Sequence, residues 1–226
     1  VVLCIHGHGA TTYEVKLIGK AICYQGIDAA GLVLPAHGIE NPRLAKRAMG
    51  KITKGDYLEA LREEIKRARQ LYNTVLIYGQ SMGGALALVM ASEHLVDGCA
   101  VSSAALKLPP GSGLLTFLLG KINLNLSVTL NREPFENEVY AFRNSRESRQ
   151  LYKLSIYARK QLNLIRCPLL VCHSHHDLII DPVVPHWIQN RSQGKVTLRW
   201  YDESGHCLPL DTQGEEMAHD IAEFFS

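Results

Sequence analysis

The sequence predicts an α/β domain, a mostly parallel sheet with helices packed on both faces. Three observations predict it. Short apolar runs rich in strand-forming residues recur at 1–5, 30–34, 74–78, 98–102, 169–172 and 196–200. Segments with helical periodicity separate most of them. One strand also runs through a glycine-flanked serine, Gly79-Gln80-Ser81-Met82-Gly83-Gly84, directly into a helix-forming stretch from Ala85 to Ala91. At 226 residues the chain suits one such domain with a sizeable core.

Residues 1–5 form an all-apolar strand that ends in His6-Gly7-His8-Gly9. A helix follows over 14–25, where Val15, Leu17, Ile18, Ala21 and Ile22 share a face and Gly26 closes it. The second strand, 30–34, ends at Pro35-Ala36-His37-Gly38. A loop with a helical turn then leads to Asp56. From there Tyr57, Leu58, Leu61, Ile65, Ala68 and Leu71 recur at three- and four-residue spacing and mark a long helix. The serine-bearing strand–helix unit comes next, followed by the strand at 98–102. Beyond it lie the strand at 169–172, a helix from about Pro182, the strand at 196–200 and a closing helix over 214–225.

Residues 107–161 break this rhythm. They open with Pro109-Pro110-Gly111-Ser112-Gly113, continue as an apolar run rich in Leu, and end in a polar helical segment. The expected organisation is a core of 1–106 and 164–226 with residues 107–163 inserted as a small cap at the functional end.

Composition excludes several classes. A 46% hydrophobic and 20% charged chain is an ordinary globule, not a disordered one. Net charge of +2 offers no basic face for nucleic acid, and the basic stretch from Arg62 to Arg69 is broken by Glu63 and Glu64. No apolar run is long enough to span a bilayer. The six cysteines are scattered without a C-x-x-C, which predicts reduced thiols in a cytoplasmic protein. The chain opens on a strand at Val1 without an initiator Met, so missing upstream residues, a removed signal included, stay open.

Chemistry concentrates at the strand ends, where ligands bind in parallel sheets. A serine between a strand and a helix, with glycine on either side, sits on a tight strained turn that exposes its hydroxyl. Ser81 still needs a base within hydrogen-bond reach and a group that orients the base. His206 follows the last strand, and Asp177 follows the one before it. The chain order Ser81, Asp177, His206 is that of a serine hydrolase on such a sheet. Two backbone donors must hold the developing oxyanion, and the N–H groups of Met82 and His8 are the candidates. In that role the His8 side chain is incidental.

Competing readings attach to several of these residues. Asp181 also lies near the functional end, but Asp181-Pro182 reads better as a helix start. His173, His175 and His176 with Asp177, joined by His6 and His8, resemble a metal cluster. A zinc site would leave Ser81 and His206 unexplained, so neither metal nor cofactor is expected. Cys207 adjoins the proposed base and is not expected to be a nucleophile. His37 reads as a loop residue on the site floor, and His94, His186 and His219 as helix residues on the surface or in the core. The apolar run in the inserted segment predicts a lining for an apolar substrate, through Leu114, Phe117 and Leu118 together with Ile179. Weak contact of that segment with a lipid interface is a further expectation.

The motifs HGHG at 6–9, PAHG at 35–38, GQSMGG at 79–84, CPLLVCHSHHDLIIDP at 167–182 and SGHCLPLD at 204–211 resemble those of the α/β-hydrolase fold. The chain is similar to the small bacterial carboxylesterase and monoacylglycerol lipase group nearly end to end, most loosely in the inserted segment. The resemblance implies Ser81 as nucleophile, Asp177 as acid, His206 as base, and oxyanion donors at His8 and Met82. It also implies a sheet smaller than the full one, since the first strands of that fold are absent or minimal here. One departure is His8, where the group often carries a bulky apolar residue. The expected activity is hydrolysis of a small apolar carboxylic ester through an acyl-enzyme. The alternatives are an acyltransferase or cofactor-free haloperoxidase with the same three residues, or a non-catalytic binding protein on this fold. Oligomeric state is not legible.

Overall fold

A computed structural model of the chain describes residues 1–108, 116, 118–128 and 139–226. Six strands form one sheet: β1 (Val2–Ile5), β2 (Ala29–Leu32), β3 (Leu76–Gln80), β4 (Gly98–Ser102), β7 (Leu169–His173) and β8 (Val196–Trp200). Their order is β2-β1-β3-β4-β7-β8, and every neighbouring pair is parallel. A separate antiparallel hairpin joins β5 (Asn125–Ser127) and β6 (Phe142–Asn144). Seven helices among the described residues complete the fold: α1 (Lys16–Tyr24), α2 (Pro42–Met49), α3 (Lys54–Leu71), α4 (Met82–Ser92), α5 (Ser145–Gln161), α6 (Val183–Arg191) and α7 (Gly214–Phe225).

Strand alternation divides the core in two. Leu3, Ile5, Ile77 and Val101 face a cluster filled by Leu61 of α3, Leu86 of α4, Leu154 of α5 and Ile188 of α6. Val2, Cys4, Tyr78 and Ala100 face the opposite cluster, with Ile18 and Ile22 of α1 and Met217 and Ile221 of α7. With both faces covered, the central strands are buried at nearly every position, which is why they read as apolar runs. Helix α4 is buried along its whole length between the sheet and α5. No described helix is long and apolar enough to cross a membrane.

The structure moves several expected boundaries. The serine-bearing strand extends through Gln80, because Gln80 still pairs with Ser102 of β4, and α4 starts at Met82 with no intervening loop. Helix α3 begins at Lys54, not Asp56. Thr53 caps it by accepting from the Asp56 N–H at 3.2 Å, while Asp56 accepts from the Thr53 N–H at 2.8 Å. The expected helical turn near 42 is the full helix α2, capped by Asn41 and started by Pro42. The helix expected over 14–25 opens as a 3-10 turn, Thr12–Val15, before α1.

The β5–β6 hairpin and α5 lie between β4 and β7 in the chain. Of the apolar run there, Leu114, Leu115 and Phe117 fall outside the described residues. Leu118, Ile122, Leu124 and Leu126 are between 37 and 58% exposed. Ile179, after β7, is 48% exposed. Cys4, Cys99 and Cys172 are thiols buried in the core.

Candidate active site

Parallel pairing points the carboxyl ends of all six strands in one direction, so the loops after β1, β3, β7 and β8 share one rim. Ser81 sits on the turn between β3 and α4 with φ 53° and ψ −111°, a conformation that L-residues rarely adopt. The flanking glycines are required by close approach. A Cβ on Gly79 would stand 2.2 Å from the Gly83 carbonyl oxygen, and one on Gly83 would stand 2.3 Å from the Ile5 carbonyl oxygen. The turn is clamped by the Ser81 N–H donating to Ser102 O at 2.9 Å, and by Ser81 O accepting from Ala85 and Ala105 at 3.0 Å each.

Ser81 Oγ lies 3.1 Å from His206 Nε2. On the other side of the ring, His206 Nδ1 lies 2.9 and 3.0 Å from the two oxygens of Asp177. A carboxylate facing Nδ1 requires the proton there, which leaves Nε2 free to accept from Ser81. Burial pushes the Asp177 pKa up. The hydrogen bond and charge of His206 and the N–H groups of Ile180 and Ile179 outweigh it, so the net shift is downward. The N–H groups of His8 and Met82 have no acceptor among the described residues. Met82 is the first residue of α4, where the helix dipole favours negative charge.

Most of the competing residues have other partners, and His173 Nε2 stays 4.0 Å from Asp177 Oδ2. Asp181 accepts from the Val183 N–H at 2.9 Å at the start of α6 and pairs with Lys107 at 2.5 Å. His175 is exposed, stacks on Trp200 with 3.6 Å between ring centres, and bonds Asp202. His176 is exposed, and His173 is buried with its Nε2 on Ile180 O. Among the described residues, the only group spaced to hold a metal is His219, Asp220 and Glu223 on α7. His94, just past the end of α4, is exposed, as are His186 and His219. Cys207 is exposed beside His206.

Four neighbours of this rim escaped the sequence reading. Glu147, on the first turn of α5, is 1% exposed and hydrogen-bonds His8 Nε2 through Oε2, while Tyr57 OH donates to its Oε1 at 3.1 Å. The His8 side chain therefore has a partner and is not incidental to the loop. Burial raises the Glu147 pKa, but the charge and hydrogen bond of His8, the charge of His37 and the Tyr57 hydroxyl bring it below the usual range. Glu14 is buried under the same loop and accepts from the Gly7 N–H at 2.5 Å; burial raises its pKa. Arg143 of β6 lies against Gly9. Gln80 reaches the His206 backbone. No local pattern marks these residues; a single Glu on a polar helix reads as solvated. His37 is buried as expected, with Nε2 accepting from the Gly9 N–H at 3.1 Å.

The chain is similar to a carboxylesterase of Bacillus subtilis (strain 168), 23% identical over 99% of this chain and 91% of the relative. It is 26% identical to a thermostable monoacylglycerol lipase of Bacillus sp. (strain H-257), over 100% of this chain and 90% of that one. Among solved structures, one described with the metagenome-derived lipolytic enzymes LipS and LipT superposes with a TM-score of 0.89 at 20% identity, covering 99% of this chain and 91% of that one. The fold is therefore the α/β-hydrolase fold with a six-stranded parallel sheet. A family described as serine aminopeptidase, S33, matches residues 1–213. With nearly the whole chain inside that match, the protein belongs to this family of serine hydrolases.

Proposed function

We propose that the protein is a carboxylic ester hydrolase that works through an acyl-enzyme on Ser81. The observation that carries this reading is the continuous row Ser81 Oγ, His206, Asp177, with contacts of 3.1 and 2.9 Å. His206 Nε2 takes the Ser81 proton as Oγ attacks the ester carbonyl. The free N–H groups of His8 and Met82 receive the oxyanion. His206 then protonates the departing alcohol, and a water deprotonated by His206 releases the acid. Asp177 keeps the proton on Nδ1 and stabilises the imidazolium.

An ester is favoured over the amino-terminal peptide that the family description suggests. An aminopeptidase needs a free carboxylate to receive an ammonium. Among the described residues, the two carboxylates beside the oxyanion loop, Glu147 and Glu14, are both buried and engaged, by His8 and Tyr57 and by the Gly7 N–H. The names of the two curated relatives point the same way. Residues 107–163 serve as the cap in this reading, supported by the Tyr140 N–H donating to Gly9 O at 2.9 Å and by the His8–Glu147 bond. Leu118 and the other exposed leucines of that segment, together with Ile179, are the proposed apolar contacts for acyl group or lipid surface.

The test is a panel of p-nitrophenyl esters and aminoacyl p-nitroanilides assayed with and without EDTA, alongside fluorophosphonate labelling. Ester turnover that survives EDTA, with label on Ser81, is expected. Anilide turnover without ester turnover would move the assignment to a peptidase, and loss in EDTA restored by zinc would move it to a metal enzyme. Transfer of acyl groups to added alcohol in preference to water would identify an acyltransferase.

A further inference from the structure

The β5–β6 hairpin lays one cation against the oxyanion loop. Arg143 Nη1 donates to Tyr140 O at 2.7 Å and to Phe142 O at 3.0 Å, which fixes the guanidinium on its own hairpin. A Cβ on Gly9 would lie 2.6 Å from Nη1 and 2.7 Å from Cζ, so the group rests directly on Gly9, one residue beyond the His8 N–H. Its charge acts on Cys207, the neighbour of His206, as well as on Glu147 and Glu14. The guanidinium thus stands against the oxyanion loop.

Neither carboxylate satisfies it. Glu147 bonds His8 and Tyr57, and Glu14 bonds the Gly7 N–H. No carboxylate among the described residues forms an ion pair with Arg143, and its Nε and Nη2 donate to no acceptor there. The side chain is half-buried, and Nε and Nη2 are not among its buried atoms, so they stay open to a ligand. Glu147 and Glu14 act on it only through space, while Nε with Nη2 form the planar fork that matches a carboxylate.

We propose that the substrate of this site carries a carboxylate and that Arg143 receives it through Nε and Nη2 beside the oxyanion loop. The assignment rests on Ser81 being the nucleophile and adds an anionic end to an otherwise apolar ester. The carboxylate belongs to either the acyl or the alcohol half, and isosteric pairs separate the two. Monoethyl succinate against ethyl levulinate places it on the acyl side. Acetoxyacetate against acetoxyacetone places it on the alcohol side.

In one of the two pairs the wild-type enzyme should prefer the anionic member by about ten- to a hundredfold in kcat/KM, the range of a charge-assisted hydrogen-bonded pair. Added salt should shrink that preference. R143Q should reduce the anionic-to-neutral ratio at least about tenfold, with R143K intermediate. If R143Q does not fold, the wild-type pairs and their salt dependence decide alone. Cleavage of the neutral members with no anionic preference in either pair would overturn the assignment and leave the hydrolase standing. No cleavage of any of the four, with no label on Ser81, would sink both.

Discussion

Gln80 Nε2 donates to the carbonyl oxygen of His206 at 2.8 Å. The residue immediately before Ser81 therefore holds the backbone of the loop that carries its proposed base. Gln80 is itself held, since its Oε1 accepts from Ser102 Oγ, which lies 2.6 Å from Tyr78 OH. All three are fully buried on β3 and β4. Replacing Gln80 by Leu removes the link and deprives the Ser102 hydroxyl of its acceptor and the His206 carbonyl of its donor, at about 1–3 kcal/mol. The expected result is a kcat lowered roughly tenfold with KM little changed, read by steady-state kinetics on p-nitrophenyl butyrate. An unaltered kcat would show that the loop is positioned by other contacts.

Ser81→Ala should abolish fluorophosphonate labelling and leave only a residual acceleration of about 10³–10⁴ over water. Asp177→Asn keeps the shape of the row but releases the His206 tautomer, and kcat should fall by about 10⁴. Both follow from ester kinetics on variants whose circular dichroism matches the wild type. Full activity in either variant contradicts the proposed roles.

The His8–Glu147 pair predicts a marked non-additivity. Glu147→Leu leaves His8 and Tyr57 facing a vacated polar site, and should destabilise by about 3–5 kcal/mol. His8→Leu strands the buried carboxylate and should act similarly. The double variant removes both partners, so its loss should be well below the sum of the two. Urea midpoints of the four proteins measure the coupling, and strict additivity would mean the pair is energetically idle.

Gly79→Ala and Gly83→Ala should each prevent folding. The added methyl would meet the Gly83 and Ile5 carbonyl oxygens at 2.2 and 2.3 Å, contacts with backbone that cannot yield. Soluble expression and a cooperative melt in either variant would show that the turn tolerates rearrangement.

Acid should destabilise the protein well before its carboxylates titrate. Burial lowers the pKa values of His6, His37 and His173, that of His6 to about 3. Unfolded, they titrate near about 6.5. Below that pH the unfolded chain binds protons that the native one refuses, so stability drops by up to about 1.4 kcal/mol per pH unit for each. For His6 the loss continues to about pH 3. Glu14 acts oppositely, because its raised pKa makes its contribution one that is lost as pH rises through the folded value. Urea unfolding at pH 7 and pH 5 should give the lower midpoint at pH 5, and equal midpoints would contradict neutral buried histidines.

Legibility tracked how local each feature is. The central strands are buried on both faces and so read as apolar runs. The half-buried edge strands β2 and β8 still carry enough strand-forming residues to be read, and the pairing of Gln80 with Ser102 merely lengthens one strand. Helix α2 spans only eight residues, buries only Ala45 and Met49, and starts at the Asn41 cap and Pro42, so its full length is missed. The hairpin is missed because Asn125–Ser127 is exposed and pairs with residues far along the chain. Glu147 and Arg143 lie in no motif, while Tyr57 reads only as part of an apolar helix face and Gln80 only as the variable position before Ser81.

Sequence alone determined the α/β class, the chain order of Ser81, Asp177 and His206, and the strand–turn–helix around Ser81, since each is encoded in spacing and local residue type. Tertiary structure alone decided that these side chains stand within hydrogen-bond reach. It also decided that Glu147 is buried against His8 and that Arg143 rests on Gly9. The reason is physical: distance between residues more than a hundred positions apart is set by how parallel strands bring their carboxyl ends to one rim and how the intervening segment packs back upon it.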